Sequence, residues 1–133
     1  NRSYEGAFVC LYGDIGADYR AVFTNGDHIG IQGDANWIKT DLLSYKLDTW
    51  YYVRRTLDCG TNVGTFYVEE VGDASHHAGY TVGSYAANTH VNQVRIWTSG
   101  SQGADAHVDS IRIARGTVAT PVASPGGGRL FAE

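Results

Sequence analysis

Alternation is the feature that most restricts the fold open to this chain. In TWYYVRRTLD, residues 49–58, an extended backbone sends successive side chains to opposite sides. Tyr51, Val53 and Leu57 then share one side, and Trp50, Tyr52, Arg54 and Thr56 share the other. The same period of two recurs in VNQVRIWTS and GTFYVEEV, whereas no window of about 12 residues carries apolar positions at the 3.6-residue spacing of a helix. Arg55 is the misfit, because it falls on the apolar side. Its charge requires either Glu69 or Glu70 from the partner strand or a local change to a polar, concave sheet surface.

Turn chemistry divides the chain into further strands. GAFVCLYG ends at Gly13, and YRAVFTNGDHIGIQG reads as two strands around Asn25-Gly26-Asp27, a strong hairpin signal because these residues tolerate positive φ. NWIKTDLL is a short strand and SYKLD a loop. TWYYVRRTLD and GTFYVEEV pair across residues 59–64, and GDASHHAG is a turn region. HAGYTVGSY, HVNQVRIWTS and AHVDSIRIAR supply later strands. With 17 glycines, 9 tyrosines and 2 prolines in 133 residues, the composition suits sheets and tight turns. The expectation is an all-β fold, a two-sheet antiparallel β-sandwich of jelly-roll type, over residues 1–116. Residues 117–133, which open with TVATPVASPGGG, read as a C-terminal linker or tail. RLFAE is either the start of something further or a tag remnant.

Several partner classes are disfavoured. A net charge of −4 with 10 scattered Lys and Arg does not suit nucleic acid, whose phosphates need clustered cations. No apolar run approaches the ~20 residues of a membrane helix, so membrane insertion is not expected. Cys10 and Cys59 have only each other as partners. The first reading is a disulfide in a secreted protein, and the other is two buried free thiols. Neither has a second Cys or His at metal-ligand spacing. His76 and His77 lie in the expected turn and diverge if extended, which does not suit zinc.

Carbohydrate recognition requires a flat ring for the apolar face of a pyranose, with amide or guanidinium groups for its hydroxyl rim. Gln93, Arg95 and Trp97 share one parity in their strand, opposite Val94 and Ile96. Tyr52 and Arg54 offer the same combination, and Tyr80 and Tyr85 lie in the strand after His76-His77. If these strands are neighbours in one sheet, their polar sides form a single concave floor. The alternative for each ring, Trp37 and Trp50 included, is core or edge packing.

The runs FTNGDHIGIQ (23–32), NWIKT (36–40), DTWYYVR (48–54), FYV (66–68) and VDSIRI (108–113) together resemble the concanavalin A-like lectin/glucanase superfamily. More narrowly, they are similar to laminin-G-like jelly-roll modules attached to bacterial secreted polysaccharide-active enzymes. The resemblance spans about residues 20–115. It implies a non-catalytic carbohydrate-binding module that is secreted or at the cell surface, is joined to other domains and recognises a polysaccharide or oligosaccharide. It also implies a structural calcium as an option. Asp109 matches an aspartate of the closing strand that helps hold calcium in related jelly rolls, and Glu5 is the potential partner. No EF-hand-like Asp-x-Asp-x-Asp loop is present.

An enzyme of the same fold is the alternative. The Glu-x-Asp-x-x-Glu strand of the family's glucanases is absent, and Glu69 and Glu70 are adjacent and face opposite ways, so they cannot form a glycosidase pair. His28, Gln32, Tyr52, Arg54, His90 and Arg95 could supply a lyase. A third alternative is a structural or adhesive surface or filament protein whose outward rings meet another protein chain.

Overall fold

The computed structural model describes residues 6–24, 28–33, 36–83, 86–99, 106–109, 111 and 129–132. The alternating segments form ten strands: β1 (Gly6–Gly13), β2 (Ala17–Thr24), β3 (His28–Gln32), β4 (Trp37–Ser44), β5 (Thr49–Asp58), β6 (Val63–Glu70), β7 (Asp73–Gly83), β8 (Val91–Ser99), β9 (Ala106–Asp109) and β10 (Arg129–Ala132). They build two antiparallel sheets, β4-β3-β2-β1-β8 and β7-β6-β5-β10-β9. The fold is thus all-β and consistent with the expected β-sandwich. Residues 129–132, within the stretch read as linker or tail, pair with both β5 and β9.

The core lies between the sheets and is made by one parity of each strand. Ala7, Phe23 and Ile29 of the first sheet meet Tyr51 and Val68 of the second, with Val9, Val53 and Ile96 packed around them. A second cluster joins Ala21 and Ile31 to Phe66. Tyr51 is fully buried, and its hydroxyl is satisfied by the Lys46 amide at 2.9 Å. Tyr45 packs edge-on to both Phe23 and Tyr51 and donates its own hydroxyl to the Thr24 carbonyl at 2.6 Å. Tyr51 and Val53 of β5 are therefore inward as expected, and the loop read in SYKLD joins β4 to β5.

Arg55 also points inward, and its partner is neither Glu69 nor Glu70. Its Nη2 reaches Asp18 Oδ2 of the opposite sheet at 2.5 Å, with the two side chains only 4% and 0% exposed. A β-bulge makes this contact available. Between the pairs Cys10↔Arg20 and Tyr12↔Ala17, β2 spends three steps where β1 spends two. The extra residue turns Asp18 toward the core. Arg55 Nη1 donates to the Thr56 carbonyl, and the guanidinium carbon lies 4.2 Å from the Phe66 ring centroid. Gly64 leaves room for it, since a Cβ there would lie 1.9 Å from Nη1 in this position. Burial works against the charge, pulling the Arg55 pKa down, and the Asp18 charge opposes that shift.

Two other expectations are corrected. The segment read as a turn through His76-His77 is already strand: the reversal is confined to Val71-Gly72, with Gly72 at φ 97°. The Cys10–Cys59 bridge is not formed, and both thiols are free. Cys10 is buried in β1, where its Sγ donates to the Asp18 carbonyl at 3.1 Å. Burial is the main reason its pKa is pushed up to about 11 from 9.0. Cys59 occupies the β5–β6 turn of the other sheet and is half-buried.

Two predictions follow from the interior. Arg55→Met leaves the Asp18 carboxylate buried without its cation and should cost about 3–5 kcal/mol, measured as a lower urea midpoint; adding Asp18→Asn should restore much of it. A loss below about 1 kcal/mol, typical of solvent-exposed pairs, would show that the pair is not the buried contact described. Native protein treated with iodoacetamide at pH 8 should gain one adduct at Cys59, and Cys10 should react only after unfolding. An unalkylatable, reduction-sensitive species would contradict the free thiols.

Candidate functional site

The sequence-derived binding residues divide between the two outer faces. β8 is the edge of the first sheet and β5 belongs to the second. Gln93, Arg95 and Trp97 therefore lie on the outside of one sheet, and Tyr52 and Arg54 on the outside of the other. The single concave floor that would unite them does not form.

Around β8 the row is continuous. Trp97 is opposite Phe8 in register and stacks on it, with centroids 5.1 Å apart and planes 9° apart. Because Ala7 and Val9 face the core, Phe8 faces outward, yet it is only 3% exposed. Arg20 explains part of this cover: its guanidinium carbon lies 5.6 Å from the Phe8 centroid and 5.9 Å from that of Trp97. Gln32 Oε1 accepts from Arg20 Nε at 2.9 Å, and the Gly33 carbonyl accepts from Nη2 at 3.2 Å. One strand further, the Trp37 ring covers Gly30, where a Cβ would fall 2.5 Å from the indole. Arg95 stands 3.9 Å over the Tyr12 ring and donates through Nε to Gln93 Oε1 at 3.0 Å. Tyr12, Val94, Arg95, Ile96 and Trp97 line an open cleft of about 490 Å³. Its lining residues come from β8 and, through Tyr12, from β1. Phe8, Tyr12 and Arg20 escaped the sequence reading; the Phe8 and Tyr12 parity within GAFVCLYG was the available signal.

The start of β8 is fixed by a clasp between two loops. Asn88 is 1% exposed; its Oδ1 accepts from the Ile15 and Gly16 amides, and its Nδ2 donates to the Gly16 carbonyl. Asp14 answers from the other loop by accepting from the Thr89 amide at 2.9 Å and the Thr89 hydroxyl at 2.6 Å. The Thr89 hydroxyl is the main reason the Asp14 carboxyl titrates down at about 2, against 3.8 ordinarily. The clasp holds the β1–β8 register next to Tyr12 and Gln93.

On the opposite exterior, Arg54 lies 5.1 Å over the Tyr67 ring, and Tyr52 and His77 flank that ring at 6.5 and 5.8 Å. Tyr67 donates its hydroxyl to Glu69. His76 faces the other way, its Nδ1 2.6 Å from Glu70 Oε2, so the adjacent histidines do diverge.

The remaining candidates are dispersed. Tyr80 turns inward against the cluster of Ala21, Ile31 and Phe66, its parity set by pairing with Phe66. Tyr85 and Glu5 lie outside the described residues. Asp109 closes β9 opposite Arg129, and no group of three or more His, Cys, Asp or Glu gathers for a metal among the described residues. Of the residues considered for a lyase, Gln32 is fully buried on Arg20, His90 belongs to the loop clasp, and Tyr52 and Arg54 are a sheet away from Arg95.

No family model matches the chain, and no curated protein or solved structure compared with it matches either.

The clasp sets a pH dependence. A carboxyl whose folded pKa lies below its unfolded value stabilises fully above the unfolded value, and that contribution is lost as pH falls through the folded one. Asp14 should therefore contribute above about pH 4 and lose its contribution toward pH 2. Thermal melts between pH 5 and 2 should fall less steeply for Asp14→Asn than for the parent; parallel curves would remove Asp14 from this role.

Proposed function

We propose that the protein is a carbohydrate-binding module that takes a polysaccharide chain along the β8 cleft. The reading is supported above all by the unbroken outward row of Trp97 on Phe8 and Arg95 on Tyr12, with Gln93 bonded to Arg95. Trp97 offers ring surface to the C–H face of a sugar, and Tyr12 holds the Arg95 guanidinium beside it. Arg95 and Gln93 offer donors and an acceptor to the hydroxyl rim, and Arg95 suits a carboxylate as well. An open, wet cleft gains little beyond stacking, so binding is weak for each module and useful through attachment to other domains.

The resemblance to laminin-G-like jelly rolls supports the same reading, including an extracellular setting and a parent protein that acts on polysaccharides. The resemblance also brings the structural calcium, for which Asp109 is the one ligand in a described strand. A lyase or hydrolase is the second reading, and the Arg95–Tyr12 contact in the cleft is what favours it.

Affinity electrophoresis through gels containing alginate, pectin, ulvan or β-glucan tests both. Retardation without new reducing or unsaturated ends is the expected outcome, and Trp97→Ala should abolish it while Tyr80→Phe leaves it intact. Cleavage of any of these polymers would favour the enzyme, and unretarded migration in all four would count against the cleft.

A further inference from the structure

The second exterior carries its own arrangement, centred on Arg54. In this acidic chain the guanidinium has no carboxylate within salt-bridge distance among the described residues. Its Nε is buried without a hydrogen-bond partner. Arg55, one residue away, is neutralised by Asp18. Around Arg54 the surface is flat and ringed: Tyr67 beneath the guanidinium, with Tyr52 and His77 beside that ring. Polar groups border the rings. The Thr56 and Thr65 hydroxyls meet each other one rung along. Glu69 accepts from Tyr67, which leaves the carboxylate further lone pairs. His77 Nδ1 donates to the Ala74 carbonyl at 2.9 Å.

We infer that this face is a second saccharide site, selective for a carboxylate-bearing sugar unit, and that one module therefore holds two polymer chains on opposite sides of the sandwich. The occupant is set by charge complementarity. A fork of N–H groups with no carboxylate at salt-bridge distance among the described residues suits a uronate carboxylate, the nearby Glu69 being engaged by the Tyr67 hydroxyl, and the flanking rings suit the sugar face. A neutral sugar would leave the guanidinium without its counter-charge. The arrangement rests on reading the β8 cleft as a saccharide site. The two faces share no side chain, so each can be lost without the other.

The test is a titration of ¹⁵N-labelled full chain with a galacturonic acid hexamer and, separately, with cellohexaose. With the uronate, amides of residues 52–54, 65–69 and 77–79 should shift, and those of 93–97 should shift as a second set. With cellohexaose the first set should stay still. Arg54→Gln should weaken the uronate response of the first set at least tenfold and leave the 93–97 response unchanged. In solution, the parent should raise the viscosity of polygalacturonate, and neither Arg54→Gln nor Trp97→Ala should do so. Shifts confined to 93–97 would overturn the second site and leave the cleft standing. Shifts confined to the first set would overturn the cleft and the two-chain arrangement with it. Silence at both sets would overturn both. Concentration-dependent shifts at 52–54 without sugar would show that the face pairs with another copy and would overturn the saccharide assignment.

Discussion

Consecutive residues of a strand cannot share a side, and Arg54 and Arg55 make this constraint visible. One guanidinium is driven between the sheets, where only an opposite charge with matching hydrogen bonds makes its burial tolerable. The other is held outside over an aromatic ring. Sheet membership then does the rest: with β5 and β8 in different sheets, the chain presents two aromatic–guanidinium surfaces facing opposite ways. Each has cation–ring contacts of its own, and neither borrows a residue from the other.

The side-chain pattern within each strand was legible from the sequence. Tyr51 and Val53 inward, Tyr52 and Arg54 outward, and Val94 and Ile96 opposite Gln93, Arg95 and Trp97 all follow from a period of two. What alternation does not carry is which strands are neighbours, because hydrogen-bonded ladders form between segments distant in the chain and the same parity serves either sheet. For this reason a single floor joining β5 to β8 was a natural expectation and was not realised. Asp18 was hidden for a related reason. Its parity matches Arg20, which faces out, and only the bulge opposite β1 turns it inward. Its partner lies 37 positions along the chain. For Tyr80 both readings stood open because a tyrosine is equally at home inside and out, and its pairing with Phe66 puts it against the core cluster.

The cleft beside β8 depends on contacts away from the rings. Phe8 is pinned by Trp97 above and by Arg20 from the next strand, and Arg20 is itself held by Gln32 and the Gly33 carbonyl. At the far end, Asn88 and Asp14 tie two loops together beside Tyr12 and Gln93. The result is a row whose geometry is set by the protein's own contacts.

The link between Asp18 and Arg55 also governs how the two layers come together. While each layer is apart, its half of the pair keeps its water, and both charges lose that water only as the layers close. A displaced closure would strand one ion against hydrocarbon, a penalty added to the loss of apolar packing around Val9 and Ile31. The pair thus adds to the apolar contacts between the layers one contact that is satisfied only in the native alignment.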